Sequence, residues 1–203
     1  MTPSKRLFDI VLALLLAAIL VIPAALIALS LLILDGRPVF YLSERMRSRE
    51  QGFLLWKFRT MRPELGDSGV SGGDKAARIT RLGRILRKLR LDEIPQLWNI
   101  LKGDMSFVGP RPPLRRYVTL FPEIYSEVLR SRPGLTGMAT LYFRRHEERI
   151  LARSLSVSET EALYIRRCIP RKARLDSLYQ EQRSVCFDLK MIWKTLLQVV
   201  IRR

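Results

Sequence analysis

Histidine is nearly missing from this chain of 203 residues: His146, inside the charged run Arg144-Arg145-His146-Glu147-Glu148, is the only one. Any site that needs two histidines is excluded, H-E-x-x-H zinc hydrolysis among them. A serine–histidine arrangement would rest on His146 alone, and that residue reads as part of a solvated face. Cysteine is almost as scarce. Cys168 and Cys186 form no C-x-x-C and no framework of pairs, so they read as ordinary thiols in a reducing compartment. The glycine- and serine-rich stretch Leu65–Asp74 lacks the Walker lysine and the G-x-G-x-x-G spacing, and reads as a loop. Acidic residues are outnumbered, 19 against 36 lysines and arginines, for a formal net charge of +17. Carboxylates, a metal and arginines are what remain for catalysis.

The longest uncharged stretch is apolar. Ile10–Leu34 runs 25 residues without a charge and would reach roughly 37 Å as one helix, enough to cross a bilayer. Lys5 and Arg6 precede it; Arg37, Arg45, Arg47 and Arg49 follow. A crossing helix usually carries its basic excess on one side, whereas here both flanks ask for the cytoplasm. Pro23, near the middle, removes a helical hydrogen bond and crowds the preceding turn. A helix–break–helix hairpin that enters one leaflet and returns satisfies both flanks, and a kinked spanning helix is the plain alternative. No small-residue cleavage site follows, and the run is too long for the apolar region of a secretory signal. On either path the protein is membrane-bound. Residues 1–36 form the membrane segment, and residues 37–203 suffice for one compact domain.

A basic balance of this size suits nucleic acid, anionic lipid or phosphorylated substrates. No zinc-finger, helix-turn-helix or aromatic RNA-binding signature favours nucleic acid, and the membrane segment favours anionic membrane lipids. In Arg78–Arg90 the apolar residues Ile79, Leu82, Ile85, Leu86 and Leu89 fall near helical spacing between arginines and a lysine. That pattern suits a helix in the head-group plane, or an amphipathic helix packed on a core. Phe187–Ile201 reads as a second interfacial or core-packing helix, and Glu159–Tyr179 carries helical signals interrupted at Pro170.

Val39–Leu42 and Phe53–Met61, rich in β-formers, read as a strand pair about a turn at Ser48–Gly52. Alternation places Lys57 and Arg59 on one face, either solvated or aimed at phosphate. Pro95 opens or kinks a helix, with Asp92 and Glu93 at its edge. Such carboxylates cap a helix, or hold a divalent ion, or supply a nucleophile and a base. Gly109-Pro110-Arg111-Pro112-Pro113 is a rigid turn whose prolines give Arg111 a well-placed stem.

In order along the chain, Lys57–Met61, Arg78–Gly83, Leu91–Leu97, Gly103–Pro112, Arg132–Gly137 and Asp188–Lys190 resemble the bacterial sugar transferase family, the small monotopic polyprenyl-phosphate phosphoglycosyl transferases. The resemblance covers nearly the whole chain. Because the chain begins almost directly with the membrane segment, it looks like the short catalytic form. The fold implied is α+β and mostly helical: an N-terminal re-entrant membrane hairpin, a short β-hairpin, and interfacial amphipathic helices around a small cytosolic catalytic domain. The reaction implied passes sugar-1-phosphate from a UDP-sugar to undecaprenyl phosphate and releases UMP, at the cytoplasmic face of the bacterial inner membrane. Asp92 matches the family nucleophile, Glu93 completes the dyad, and Mg2+ is the family cofactor with Asp92 as a ligand. Arg111 matches the phosphate-binding arginine; Lys57, Arg59 and Arg87 are further candidates for offsetting phosphate charge. Two positions depart from the family pattern: Ile22 replaces the serine often found before the hairpin proline, and Leu89-Arg90-Leu91 replaces small hydroxyl residues before the dyad. A non-enzymatic polybasic membrane scaffold explains the charge and the anchor, but not the joint presence of the two site motifs. Donors with a plain hexose or an N-acetylated sugar are not separated by sequence.

Overall fold

The computed structural model describes residues 1–63 and 73–201, so most of the stretch Leu65–Asp74 lies outside the described residues. The architecture is mostly helical α+β. A long apolar helix and a β-hairpin come first, and a helical second half follows a short parallel strand pair.

Helix α1 spans Pro3–Leu34. Thr2 caps it, its hydroxyl accepting from the Lys5 amide at 3.3 Å, and Pro3 occupies the first turn, where its missing N–H is harmless. The helix is long and apolar enough to cross a membrane, and only 6% of its most apolar window is buried, which separates it from the core helix of a soluble protein. Helical structure continues through Pro23, so the break expected there does not interrupt the helix. A re-entrant path would therefore require a bend within continuous helix. One face of α1 packs along the rest of the molecule: Leu12, Ala13, Leu16, Ala17 and Leu20 join Phe53, Leu97, Ile100 and Phe107 in the main core. Further along, Ala24, Ile27, Ala28 and Leu31 join Phe58 and Leu86. This packing offsets the roughly 3 kcal/mol that a proline costs inside a helix. The opposite face, Leu7, Val11, Leu14, Ile19, Ile22, Leu26, Leu29 and Ile33, is exposed.

Both ends of α1 are pinned to the same body. At the start, Arg6 donates to the carbonyls of Ile100 and Leu101 at 2.6 and 2.7 Å. Lys5 pairs with buried Asp188, and Asp9 accepts from the Ser106 hydroxyl at 3.1 Å. At the far end, Thr80 donates its hydroxyl to Asp35 at 2.8 Å. Arg59 donates to the carbonyls of Asp35, Gly36 and Arg37 at 2.6, 2.8 and 3.3 Å.

Strands β1 (Phe40–Met46) and β2 (Gly52–Phe58) pair antiparallel, Phe40 opposite Phe58 and Leu42 opposite Trp56. Helix α2 (Arg81–Leu89) begins at Thr80, whose hydroxyl accepts from the Gly83 amide at 2.9 Å. Gly83 is required there, since a Cβ would stand 2.2 Å from the Thr60 carbonyl oxygen. The apolar stripe of α2 divides: Leu86 is buried and Leu82 packs beside it, while Ile85 and Leu89 remain exposed. Helix α3 (Gln96–Lys102) closes the free edge of β2 through buried Asn99, which accepts from the Trp56 amide at 3.0 Å and donates to the Leu54 carbonyl at 2.8 Å.

Strands β3 (Ser106–Val108) and β4 (Gly134–Thr136) pair in parallel. The turn after β3 lies directly on β4: a Cβ on Gly109 would meet the Arg132 carbonyl oxygen at 2.2 Å. Helices α4 (Arg115–Leu120), α5 (Pro122–Val128), α6 (Met138–Tyr142), α7 (Arg144–Leu151) and α8 (Val157–Leu163) follow. A π-helical turn at Tyr164–Cys168 leads into α9 (Ile169–Gln182), which accommodates Pro170 in its first turn instead of being interrupted by it. Helix α10 (Val185–Ile201) buries Asp188 and Met191 and exposes Leu189, Trp193 and Leu196.

Candidate active site

Helix α2 ends on Arg90, the only non-glycine among the described residues with a left-handed backbone, at φ 59°. That conformation costs roughly 1–2 kcal/mol for an L-residue. It turns the chain sharply into the 3-10 turn Leu91–Glu93 and brings the Arg90 guanidinium back onto Glu93 and the Leu135 carbonyl. Pro95 follows, and α3 begins. Asp92 and Glu93 are therefore both buried at a tight corner between two helices.

The two carboxylates have opposite surroundings. Glu93 pairs with Arg90, accepts from Lys57 at 3.1 Å and lies 3.5 Å from the Arg111 guanidinium. Burial would push its carboxyl up, but Lys57, Arg90 and Arg111 overcome that and hold it well below the usual range. Asp92 makes no hydrogen bond among the described residues; its nearest cation is Lys57, at 3.8 Å. Burial, with Glu93 beside it, raises its carboxyl above the ordinary value against the opposing pull of Lys57, Arg87 and Arg90. Glu93 gathers cations, and Asp92 is left open.

Both line a cavity of about 800 Å³ walled by thirteen lysines and arginines against five carboxylates. The sequence-predicted cations fare differently. Lys57 bridges the dyad. Arg87 is oriented by the Thr60 hydroxyl at 3.0 Å and acts electrostatically on Asp92. Arg111 meets Glu93 with its side chain 40% exposed, leaving donors free toward the cavity. Arg59 borders the cavity, but β2 ends at Phe58 and its guanidinium is taken up by the carbonyls after α1, so it does not share a face with Lys57. His146 is exposed, its ring 5.3 Å from that of Phe143, and does not border the cavity. Cys168 and Cys186 are free thiols.

Sequence reasoning missed several residues. Arg90 registered as the end of a basic amphipathic stretch and as a departure before the dyad, although a cation two residues from Asp92 was a usable signal. Thr140, Glu147, Tyr164, Lys172 and Asp176 line the opposite wall of the cavity. Nothing in their spacing foretold it, because they come from four separate segments.

No group of three or more histidine, cysteine, aspartate or glutamate side chains converges among the described residues. Among the described residues, protein ligands alone therefore do not form a metal site. Magnesium is typically bound by one or two carboxylates completed by substrate phosphates and water, and the open Asp92 carboxylate suits that mode.

A second recess adjoins the first. It is an apolar groove of about 480 Å³ between Ala24, Ala25 and Ala28 of α1, the hairpin aromatics Phe40, Trp56 and Phe58, and Ile94, Pro95 and Trp98 just past the dyad. Phe40 and Phe58 border both recesses.

A family model described as "Bacterial sugar transferase" matches residues 1–202. The chain is 34% identical over 201 residues to the uncharacterized sugar transferase EpsL of Bacillus subtilis, an alignment covering 97% of this chain and 87% of that protein. It is 31% identical over 208 residues to the undecaprenyl-phosphate glucose phosphotransferase of Komagataeibacter xylinus, covering 98% of this chain and 36% of that one. It is 40% identical over 108 residues to the UDP-N-acetylgalactosamine-undecaprenyl-phosphate N-acetylgalactosaminephosphotransferase of Aeromonas hydrophila, covering 50% and 25%. A match that takes in the membrane helix, the dyad corner and the Gly-Pro-Arg-Pro turn together places the chain in the bacterial sugar transferase family.

Proposed function

We propose that the protein transfers sugar-1-phosphate from a UDP-sugar to undecaprenyl phosphate, as the first membrane step of surface glycan assembly. The observation that carries this reading is the unequal dyad: one buried carboxylate held by three cations, the other open to a cationic cavity. An Asp92 oxygen attacks the sugar-bearing phosphorus, and the bond to the bridging oxygen breaks, so UMP leaves with that electron pair. A phosphosugar remains on Asp92. An oxygen of the lipid phosphate then attacks the same phosphorus and frees the carboxylate. Arg111 and Lys57 offset the phosphate charge that a carboxylate nucleophile must approach. Glu93 holds Lys57, Arg90 and Arg111 in place for that task. When bound, magnesium neutralises diphosphate charge, and Asp92 is the residue that would hold it.

Supporting the lipid acceptor, the apolar groove meets the cationic cavity at Phe40 and Phe58. That juxtaposition suits a molecule with a phosphate head and a hydrocarbon tail. Two of the relatives carry undecaprenyl phosphate in their names, one with glucose and one with N-acetylgalactosamine, and both donor classes fit this reading. Because both ends of α1 bind one globular body, a re-entrant path with that body on the cytoplasmic face of the inner membrane accounts for the contacts. Exposed apolar residues on α1, with Ile85, Leu89 and Trp98, would face lipid, and the basic surface would meet anionic head groups.

Incubation with UDP-sugar and magnesium, without acceptor, tests the mechanism. Stoichiometric UMP and a phosphosugar adduct on Asp92 by mass spectrometry are expected. UMP release that strictly needs the lipid would mean direct transfer in a ternary complex. For topology, single cysteines near Ser4 and near Arg45, with Cys168 and Cys186 replaced, should both resist a membrane-impermeant periplasmic reagent. Labelling of the Ser4 site alone would show a spanning helix.

A further inference from the structure

Opposite the dyad, the same cavity has a second polar wall. Thr140 on α6 and Asp176 on α9 border the cavity and are more than nine-tenths buried, with relative exposures of 8% and 4%. The Thr140 hydroxyl and one Asp176 carboxylate oxygen have no hydrogen-bond partner among the described residues. Buried polar atoms are rarely left unmatched, so a pair of them in a cavity wall points to a ligand that completes them.

The surroundings of these atoms are rigid. Lys172 donates to Glu147 at 3.0 Å and to the Tyr164 hydroxyl at 3.2 Å, tying α7, the π-helical turn and α9 together. Such π-helical turns occur frequently at functional sites. Arg111 links the two sets of groups, acting electrostatically on Glu93 and Asp92 and also on Glu147 and Tyr164.

The geometry points to a second subsite at Thr140, Asp176 and Glu147 that receives a vicinal diol of the donor, on either its pyranose or its ribose ring, and helps set which sugar nucleotide is accepted. This rests on the reading of the dyad given above. A phosphate is disfavoured at this wall because Asp176 and Glu147 would repel it, and Lys172, the cation of α9 there, is already engaged by Glu147 and Tyr164. A neutral diol suits it, because its two hydroxyls can donate to the carboxylates while the single Thr140 O–H donates to one of them. Burial pushes the Asp176 carboxyl up to about 7, so near neutrality it can either accept from a hydroxyl or donate to one. A sugar nucleotide has its diphosphate in the middle and a diol-bearing ring at each end, which matches a dyad and a second wall linked by Arg111.

Binding of UMP, UDP-glucose and UDP-N-acetylgalactosamine to the full chain in nanodiscs, measured by calorimetry in an Asp92→Asn background to prevent turnover, tests the assignment. Thr140→Val and Asp176→Asn should each weaken the sugar nucleotides about tenfold, and Thr140→Ser should restore binding. If UMP affinity is unchanged while the sugar nucleotides weaken, the wall holds the pyranose; if UMP weakens equally, it holds the ribose. With Asp92 intact, the donor KM should rise about tenfold while kcat changes less than threefold. Affinities within twofold of the parent in both near-isosteric variants would overturn the subsite, as would a fall in kcat alone. An unimpaired donor-only adduct in that case would leave the dyad reading standing. Failure of the Asp92→Asn parent to bind any of the three ligands, with no adduct from the wild-type chain, would overturn both.

Discussion

The two walls of the cationic cavity each bury a carboxylate, and they treat it in opposite ways. On the near wall, Glu93 is surrounded by Lys57, Arg90 and Arg111 and stays ionised despite burial. On the far wall, Asp176 is also buried, but among the described residues Lys172 is the only cation opposing desolvation and it already serves Glu147, so the carboxyl is pushed up to about 7. Burial acts on both. What differs is how many cations the fold brings within reach, and that separates a wall committed to charge from one suited to neutral polar groups. Asp92 stands between these extremes: Lys57 alone approaches it among the described residues, at 3.8 Å, and burial raises its carboxyl above the ordinary value.

The largest expected effect comes from removing the open carboxylate of the near wall. Asp92→Asn preserves shape but not attacking charge, and should abolish the adduct and lower turnover by about a thousandfold or more. Robust turnover in this variant would erase the distinction between Asp92 and Glu93. Next is Arg111, the cation that acts on both walls. Arg111→Lys keeps the charge and loses the planar fork, so kcat/KM should fall on the order of thirtyfold, and near-normal kinetics in a folded variant would reject its phosphate grip.

A smaller and more selective loss should come from the neighbouring groove. Ala25 is exposed and borders it. Ala25→Trp should raise the KM for undecaprenyl phosphate about tenfold while donor-only adduct formation proceeds at the parent rate. Equal damage to both half-reactions would place the groove's effect in folding and not in acceptor binding.

The smallest effect is on stability. Asp176 binds its proton more tightly in the folded chain than in the unfolded one, so its contribution is fully present below about pH 4 and is lost as pH rises through about 7. Asp176→Asn removes that loss. The Tm of the variant relative to wild type should climb between those two pH values by a few degrees and then level off. A pH-independent difference would mean that the far-wall carboxyl titrates normally.

Local patterns carried a large part of this protein. An uncharged run of 25 residues with basic flanks is an apolar helix in any context. The hairpin, the Asp-Glu-x-Pro corner and the Gly-Pro-Arg-Pro turn are contiguous, so their backbone preferences can be read in place. Tertiary structure decided the rest. The stripe of α2 could not show which residues face the core, and packing divided it into Leu86 inside and Ile85 outside. Arg59 alternates with Lys57 in sequence, yet the strand stops at Phe58 and the carbonyls after α1 claim its guanidinium. Pro23 predicted a break, and contacts along one face of α1 carry the helix through it. The far wall was invisible because Thr140, Glu147, Tyr164 and Asp176 meet only when α6, α7 and α9 pack. Sequence alone determined the elements and the Asp-Glu corner, since these depend on neighbours within a few residues. The fold decided which charges reach that corner and which buried polar atoms stay unmatched, because burial and Coulomb interaction depend on distance in space and not along the chain.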